Sequence, residues 1–491
     1  MKGIKYISMA TLLLSLSSCS HDWLDVEPST SIETSQSVKV VKDIEFTLNG
    51  TYSLMQSSNA YSGKLMYYGD VTGDDMQAVS STKRTGSYYR FNWTKDYTST
   101  SEWSRLYSII TNCNLILSSI DNLELSTNPA EKEDQMEQLK DFKGQTLAIR
   151  GLAYFDLTKI FGYPYKKDNG ASLGVPLVLE PLKYDAKPSR ATVAECYKQF
   201  IGDLKEATEL IDPEFKHGKM TKWAAMTILA RAYLYKGEDD KALETAKAAI
   251  AGAEGEKYEL WTNDDYPTAW ASEASDRAPG EVLFEIINET TDSPGKESMG
   301  YLNSSHGYDD MCVTSSFYNL IREDPDDVRI KLMQSDKKRY EYVFKYQPNN
   351  EDENIRDANI PVVRLSETYL IAAEAAAKLG NNEDAVKYLN PIVQRANPNN
   401  SVEGETITVD RVKHERRKEL VAEGHRMFDA IRDGGSITRH DEDTHGHTTR
   451  TKHFTMKDEP YDWNFYKIVL PIPTKEMKAN PNMRQNPEYG E

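Results

Sequence analysis

Residues 223–252 and 366–395 are two copies of one pattern. Ala230, Gly237 and Ala242 in the first match Ala373, Gly380 and Ala385 in the second. Small residues where two helices cross let their backbones approach, and a glycine between them serves the turn of an antiparallel pair. One such pair cannot bury its own apolar face, so the copies must stack on further helices. Candidates lie at 38–56, 102–120, 142–161 and 192–211. In the first, Val41, Ile44, Leu48, Tyr52 and Met55 fall three and four apart. Trp103, Leu106, Ile110, Cys113 and Leu117 do the same in the second, giving one apolar stripe on each helix. Phe161-Gly162-Tyr163-Pro164 stops the third, and Thr192-Val-Ala-Glu195 has capping-box spacing at the start of the fourth.

The pattern Ala230-x-x-Tyr233, followed by Ala242 and Ala249, resembles a tetratricopeptide unit. Between the two copies, residues 253–360 lose the helical period and read as a large irregular insertion with one strand, Val282 to Ile287. Loops on a rigid scaffold are where binding residues usually sit. A further helix spans Val409 to Arg432 and carries Arg416, Arg417, Glu419, Glu423, Arg426 and Asp429, many of them three or four apart with opposite sign. That pattern predicts a solvated, charge-paired face.

Acids outnumber bases by 77 to 59, a net charge of −18. No long basic stripe exists to neutralise phosphates, so nucleic acid is excluded as a partner. Residues 1–18 read as a signal peptide: Lys2 and Lys5, an apolar run from Ile7, then Leu16-Ser17-Ser18-Cys19 as a lipobox. The run is too short for a bilayer core of about 30 Å. Cys19 is the expected lipidation site, residues 19–37 a polar tether, and 38–491 a single domain. Several acyl chains on one cysteine would anchor the body permanently to a membrane. Cys113, Cys196 and Cys312 are scattered and odd in number, which argues for small buried side chains rather than disulfides.

The combination of motifs resembles the SusD/RagB family of outer-membrane nutrient-binding lipoproteins. It comprises the lipobox followed by Asp22-Trp23-Leu24-Asp25, the run Leu147 to Gly162 containing Arg150 and Asp156, and Gly174-Val-Pro-Leu177. Pro188-Ser-Arg190-Ala-Thr192, Arg416 to Arg426, and Leu470-Pro-Ile-Pro473 ahead of Asn486-Pro487 complete it. The resemblance covers essentially the whole chain after the signal peptide. It implies an all-α, tetratricopeptide-like scaffold of helical pairs with large irregular loop insertions. It further implies a surface-exposed lipoprotein of the outer membrane, anchored by its N-terminal lipid, that captures oligosaccharide or polysaccharide. The ligand would pass to a SusC-like TonB-dependent transporter without being cleaved. Two alternatives stand beside it: a glycoside hydrolase on a helical scaffold, and a protein- or peptide-binding tetratricopeptide array.

Residues 61–107 are twice as rich in aromatics as the chain average of 10%. Sugar rings stack their C–H faces on such rings, and their hydroxyls need carboxylates and amides. Asp70, Asp74, Asp75, Arg84, Arg90 and Asn92 lie among the rings, in a glycine-interrupted stretch expected to be loop. The expected glycan contacts are Trp93, Tyr88, Tyr89, Asp74, Asp75, Arg84 and Asn92, with Trp270 and Tyr301 from the insertion. Trp103 and Tyr107 belong to a helical stripe and are expected in the core. No catalytic residue, metal or cofactor is expected. Gly170-Ala-Ser172-Leu-Gly174 lacks the strand and helix of a nucleophile elbow and reads as a turn. Asp441-Glu-Asp443 begins like a calcium loop but has Lys452 where the bidentate Glu belongs. His440, His445, His447 and His453 nearby read as part of a polar loop.

Overall fold

A computed structural model of the chain describes residues 38–80, 82–96, 101–183, 185–271, 280–335, 341–348, 355–439 and 461–489. The signal peptide, Cys19 and the tether lie outside the described residues, as do Tyr97 and the His440–His453 cluster. The main helices are α1 (Val41–Gln56), α2 (Lys64–Val71), α3 (Ser101–Ser119), α4 (Pro129–Phe161), α5 (Val193–Leu210), α6 (Lys222–Lys236) and α7 (Asp239–Gly255). They continue with α8 (Ser315–Ile321), α9 (Leu365–Lys378), α10 (Asn382–Ala396), α11 (Val409–Leu420), α12 (Arg426–Ile431) and α13 (Thr474–Ala479). The strands are β1 (Met76–Ala78), β2 (Val282–Ile286), β3 (Met311–Val313), β4 (Met333–Ser335), β5 (Glu341–Val343) and β6 (Ile360–Arg364). Among the described residues they pair antiparallel in twos, β1 with β3, β2 with β6 and β4 with β5. The fold is all-α with irregular insertions. No helix among the described residues is long and apolar enough to cross a membrane.

Each scaffold helix follows from its sequence. α1 buries Val41, Ile44, Leu48, Thr51 and Met55, one stripe at spacings of three and four. Asp43 opens it by accepting from the backbone N–H groups of Lys39 and Val40. At α5 the capping box is complete: Thr192 Oγ1 accepts from the Glu195 amide at 3.2 Å and Glu195 accepts from the Thr192 amide at 2.8 Å. α4 starts earlier than its apolar pattern, at Pro129, with Asn128 capping the Ala130 amide at 3.1 Å. Its first turns are exposed, which is why the apolar stripe does not show them.

The repeats fold as α6–α7 and α9–α10. Gly237 and Gly380 end α6 and α9 with φ of +85° and +72°, the left-handed region that glycine enters without strain. Ala230, Ala242, Ala373 and Ala385 are fully buried. Gly252 of α7 carries the Trp223 ring: a Cβ there would lie 2.2 Å from it. α7 packs on both α6 and α9, while α5 bridges α4 to α6, so the helices form one continuous stack. Cys113, Cys196 and Cys312 are buried and form no disulfide among the described residues. The Gly170–Gly174 segment is a turn, with Asn169 and Gly170 both left-handed.

The reading of 409–432 as one solvated helix is corrected. The chain breaks at Ala422 and Gly424, with φ of +67° and +81°, into α11 and α12, and its charged residues point inward. Glu415, Arg416, Glu419, Glu423 and Asp429 are all buried. Opposite charges arriving from the insertion and from the repeat helices make this tolerable. Arg364, at the end of β6, gives Nε and Nη2 to Glu423 at 2.8 and 2.7 Å, and Nη1 to Glu419 at 3.0 Å and to Glu281. Arg395 joins Glu281 and Glu419, Arg329 holds Glu415, and Lys345 holds Glu423. On the other side Arg416 pairs with Asp429 at 2.6 Å, Arg432 with Glu374, and Arg231 with Glu367. Periodicity gives the spacing of charges along a helix but not the charges on the surface that packs against it.

Candidate functional site

Most of the expected glycan contacts are interior, which corrects the idea of an open platform at 61–107. Trp93, Tyr88 and Tyr89 are 0%, 3% and 6% exposed. They fill the space between α2, the 86–93 segment and α12. Tyr68 meets Tyr88 edge-on at 5.7 Å, Phe91 meets Trp93 at 5.4 Å, and Tyr68 reaches Phe428 at 5.9 Å. Tyr88 also hydrogen-bonds Glu102, and the Arg439 guanidinium lies 4.2 Å over Tyr89. Trp270 is buried too, with Arg364 and Lys345 against its ring at 4.6 and 4.9 Å. Asp74 and Asp75 are buried and consumed by arginines, Arg426 and Arg417. Asn92 is exposed beside the buried Phe91 and Trp93. A loop rich in Gly and Tyr reads the same in sequence whether its rings face water or a neighbouring helix.

Asp70, in the same stretch, is 1% exposed; its Oδ2 accepts from the Gly424 amide at 2.6 Å and its Oδ1 has no partner. Burial, reinforced by Asp75 and Glu423 against the pull of the Gly424 N–H and Lys345, pushes its carboxyl up to about 8. A folded-state value above the unfolded one costs stability progressively as pH rises from about 4 to 8. The Asp70→Asn variant is therefore expected to lose that part of the slope. Its melting temperature relative to wild type should rise by a few degrees between pH 5 and pH 8.5, and a constant difference across that range contradicts the assignment.

Arg84 and Tyr301 are brought together, and with Tyr308 and the charged residues around it they make the candidate site. Tyr301 and Tyr308 are half-buried, ring centroids 4.9 Å apart at 86°. The Arg84 guanidinium lies 4.0 Å over Tyr308. It also forms a two-point pair with Glu297, Nε to Oε2 and Nη2 to Oε1 both at 2.8 Å, with the two side chains 38% and 46% exposed. Lys296 stands 5.8 Å from the Tyr301 ring, and Lys83 donates to the Tyr308 carbonyl. Beneath the ledge Asp310 is fully buried, with Arg84 at 3.6 Å and Lys83 at 3.9 Å. Burial holds its carboxyl above the usual carboxylate range, outweighing the pull of Arg84 and Lys83.

Local chemistry builds this shape. The Tyr308 amide donates to the Tyr301 carbonyl at 2.8 Å, closing a compact loop. Gly307 makes the closure possible, since a Cβ there would sit 1.9 Å from that same carbonyl oxygen. The Asp310 carbonyl accepts from the Val79 amide and from Thr85 Oγ1, and β1 pairs with β3 from Met76–Val313 to Ala78–Met311. These contacts lock the 82–85 segment to the 295–310 segment. In sequence, Pro294-Gly295 marks the turn. The pairing of Arg84 with Glu297 carries no local signal.

Comparison with known proteins agrees with this architecture. A model of the SusD family matches residues 288–489, and one of starch-binding proteins associating with the outer membrane matches 22–234. A Bacteroides vulgatus protein of known crystal structure is 64% identical, with a TM-score of 0.88 over 92% of this chain and 99% of its own. The chain belongs to the SusD family. A SusD superfamily protein from the same organism is 38% identical with a TM-score of 0.84, over 92% of this chain and all of that one. The starch-binding protein SusD of Bacteroides thetaiotaomicron is 30% identical over 143 residues, 27% of this chain and 22% of its own. The family is one of carbohydrate-binding proteins. Its two matched regions meet at the ledge: Arg84 comes from the first, and Glu297, Tyr301 and Tyr308 from the second.

Proposed function

We propose that this protein is a lipid-anchored, surface-exposed carbohydrate-binding protein of the outer membrane. It captures an oligosaccharide on the Tyr301–Tyr308 ledge without cleaving it and delivers it to a TonB-dependent transporter. The observation carrying this reading is the ledge itself, two half-exposed rings with a planar Arg84–Glu297 pair beside them. Rings take the apolar face of a sugar, while guanidinium and carboxylate edges serve its hydroxyls. The lipobox at Cys19 and the family's association with the outer membrane support the location. Glu297, the exposed carboxylate of the ledge, is held by Arg84 through both oxygens and so is engaged rather than free to act as a nucleophile.

Each stacked ring contributes on the order of 1 kcal/mol, so removing two is expected to weaken binding roughly 30-fold. Calorimetric titration of the Tyr301→Ala/Tyr308→Ala variant against starch, laminarin, xylan and mannan fragments measures it. Wild type should bind at least one with micromolar to millimolar affinity, and the variant should lose it while melting within about 2 °C of wild type. Undiminished binding removes the ledge from consideration. New reducing ends accumulating with time would favour a hydrolase instead.

A further inference from the structure

We propose that the wedge between α11 and α12 is a second binding pocket, separate from the ledge, for a small oxyanion: a carboxylate, sulfate or phosphate group. The cavity there has a volume of about 210 Å³. That is smaller than the roughly 300 Å³ at which pockets begin to enclose drug-sized ligands, and it suits one charged group or the end of a chain. Leu420, Val421 and Ala430 line it with apolar surface, and Lys413, Arg416 and Arg417 bring cations to it.

The balance of donors and acceptors decides the ligand class. Two of the lining acids already have their oxygens engaged. Asp75 accepts from Arg417 and has Arg426 at 3.2 Å. Asp429 accepts from Arg416 at 2.6 Å, Arg432 at 3.0 Å and the Tyr235 hydroxyl at 3.2 Å. The third, Asp410, is exposed at the rim. The donors are not matched in the same way. Arg416, only 2% exposed, uses Nε on Asp429 and Nη2 on Glu367 and the His425 ring, and its Nη1 has no hydrogen-bond partner. Arg417 and Arg426 likewise spend Nε and Nη2 on Asp74 and Asp75, and no Nη1 bond is made by either among the described residues. Burial, outweighing the pull of Glu367, holds the His425 imidazole down to about 4, so it stays neutral and serves as an acceptor for Arg416. What remains is a set of guanidinium N–H groups with no acceptor. A carboxylate or tetrahedral oxyanion, with several oxygens on one centre, can accept from the buried Arg416 Nη1 and from the neighbouring cations of the same cavity at once.

The test uses the mature protein, with sodium sulfate, phosphate, acetate and glucuronate titrated at constant ionic strength. Chloride is the reference and glucose the uncharged counterpart of glucuronate. At least one oxyanion should raise the melting temperature saturably, and calorimetry should return a millimolar or tighter constant. Whether acetate and glucuronate or sulfate and phosphate act identifies the source of the charge. Arg417→Gln and Lys413→Gln are expected to weaken that constant at least tenfold, while Tyr301→Ala/Tyr308→Ala leaves it unchanged. Lys413 is half-buried and, among the described residues, pairs only with Asp433, so its variant carries the test should Arg417→Gln fail to fold. A shift no larger than chloride gives, one that never saturates, one that glucose reproduces, or one that both variants retain overturns the proposal.

Discussion

Arg364→Ala is expected to lower the melting temperature by roughly 5–10 °C or to abolish soluble expression. Arg364 is 1% exposed and reaches three carboxylates, Glu281, Glu419 and Glu423, which are 0%, 0% and 9% exposed. Deleting one partner of a buried ion pair costs about 3–5 kcal/mol, because the remaining charge is left dry and uncompensated. Here the residual charges stand close together, so the upper end applies. Arg364→Lys should recover little, since one ammonium cannot span three acceptors at the angles the guanidinium provides. Glu297→Ala, which breaks the exposed pair with Arg84 and leaves buried Asp310 its cations, should leave the melting temperature almost unchanged, because a pair in water contributes little. Differential scanning fluorimetry of the three variants measures the contrast. Equal melting temperatures would mean that the buried network is no part of what holds the fold.

The second large effect is acid unfolding. Glu367, Glu374 and Glu415 sit in the interior, where burial alone would raise their carboxyls. The guanidiniums of Arg231, Arg432 and Arg329 outweigh that and hold each at about 2. Glu419 and Asp429 lie well below the usual carboxylate range for the same reason. A folded-state value below the unfolded one gives stability that is whole above about pH 4.5 and lost as pH falls toward 2. His425 acts in the same direction and starts earlier. Its depressed imidazole means that the unfolded chain takes up a proton first, below about pH 6.5. Each carboxylate contributes up to a few kcal/mol, since one unit of displacement corresponds to about 1.4 kcal/mol. Several together exceed what a typical domain has in reserve. The near-UV circular dichroism signal should begin to fall near pH 5 and be gone by about pH 3. A protein still native at pH 2.5 would contradict these assignments.

The helical scaffold was readable in sequence wherever one face of a helix meets one core. The stripe of α1, the capping box of α5 and the Ala and Gly positions of the repeats each report a local constraint, and local constraints are written in consecutive residues. Trp103 was placed in the core for the same reason, and it is 3% exposed. What could not be read depends on surfaces distant in sequence. The charges of α11 and α12 look solvated until β6 and the repeat helices supply Arg364, Arg395 and Arg231. Trp93 and Tyr88 look like ligand contacts until Phe428 and Glu102 close around them. Of the expected site residues, Arg84 and Tyr301 form part of the candidate ledge. Glu297 and Asp310 could not have been found with them, because neither lies in an aromatic-rich segment and their partners are more than two hundred residues away.

That separation bears on how the protein is made. Asp75 waits for Arg417, 342 positions later, and Asp74 for Arg426, 352 positions later. At translation rates of about 5–20 residues per second, the interval is on the order of 20–70 seconds. Through it the two carboxylates of the nascent chain must stay hydrated, whereas the β1 edge waits only for Met311–Val313. The Tyr68–Phe428 contact of the aromatic cluster therefore closes only when the last hundred residues dock onto the first.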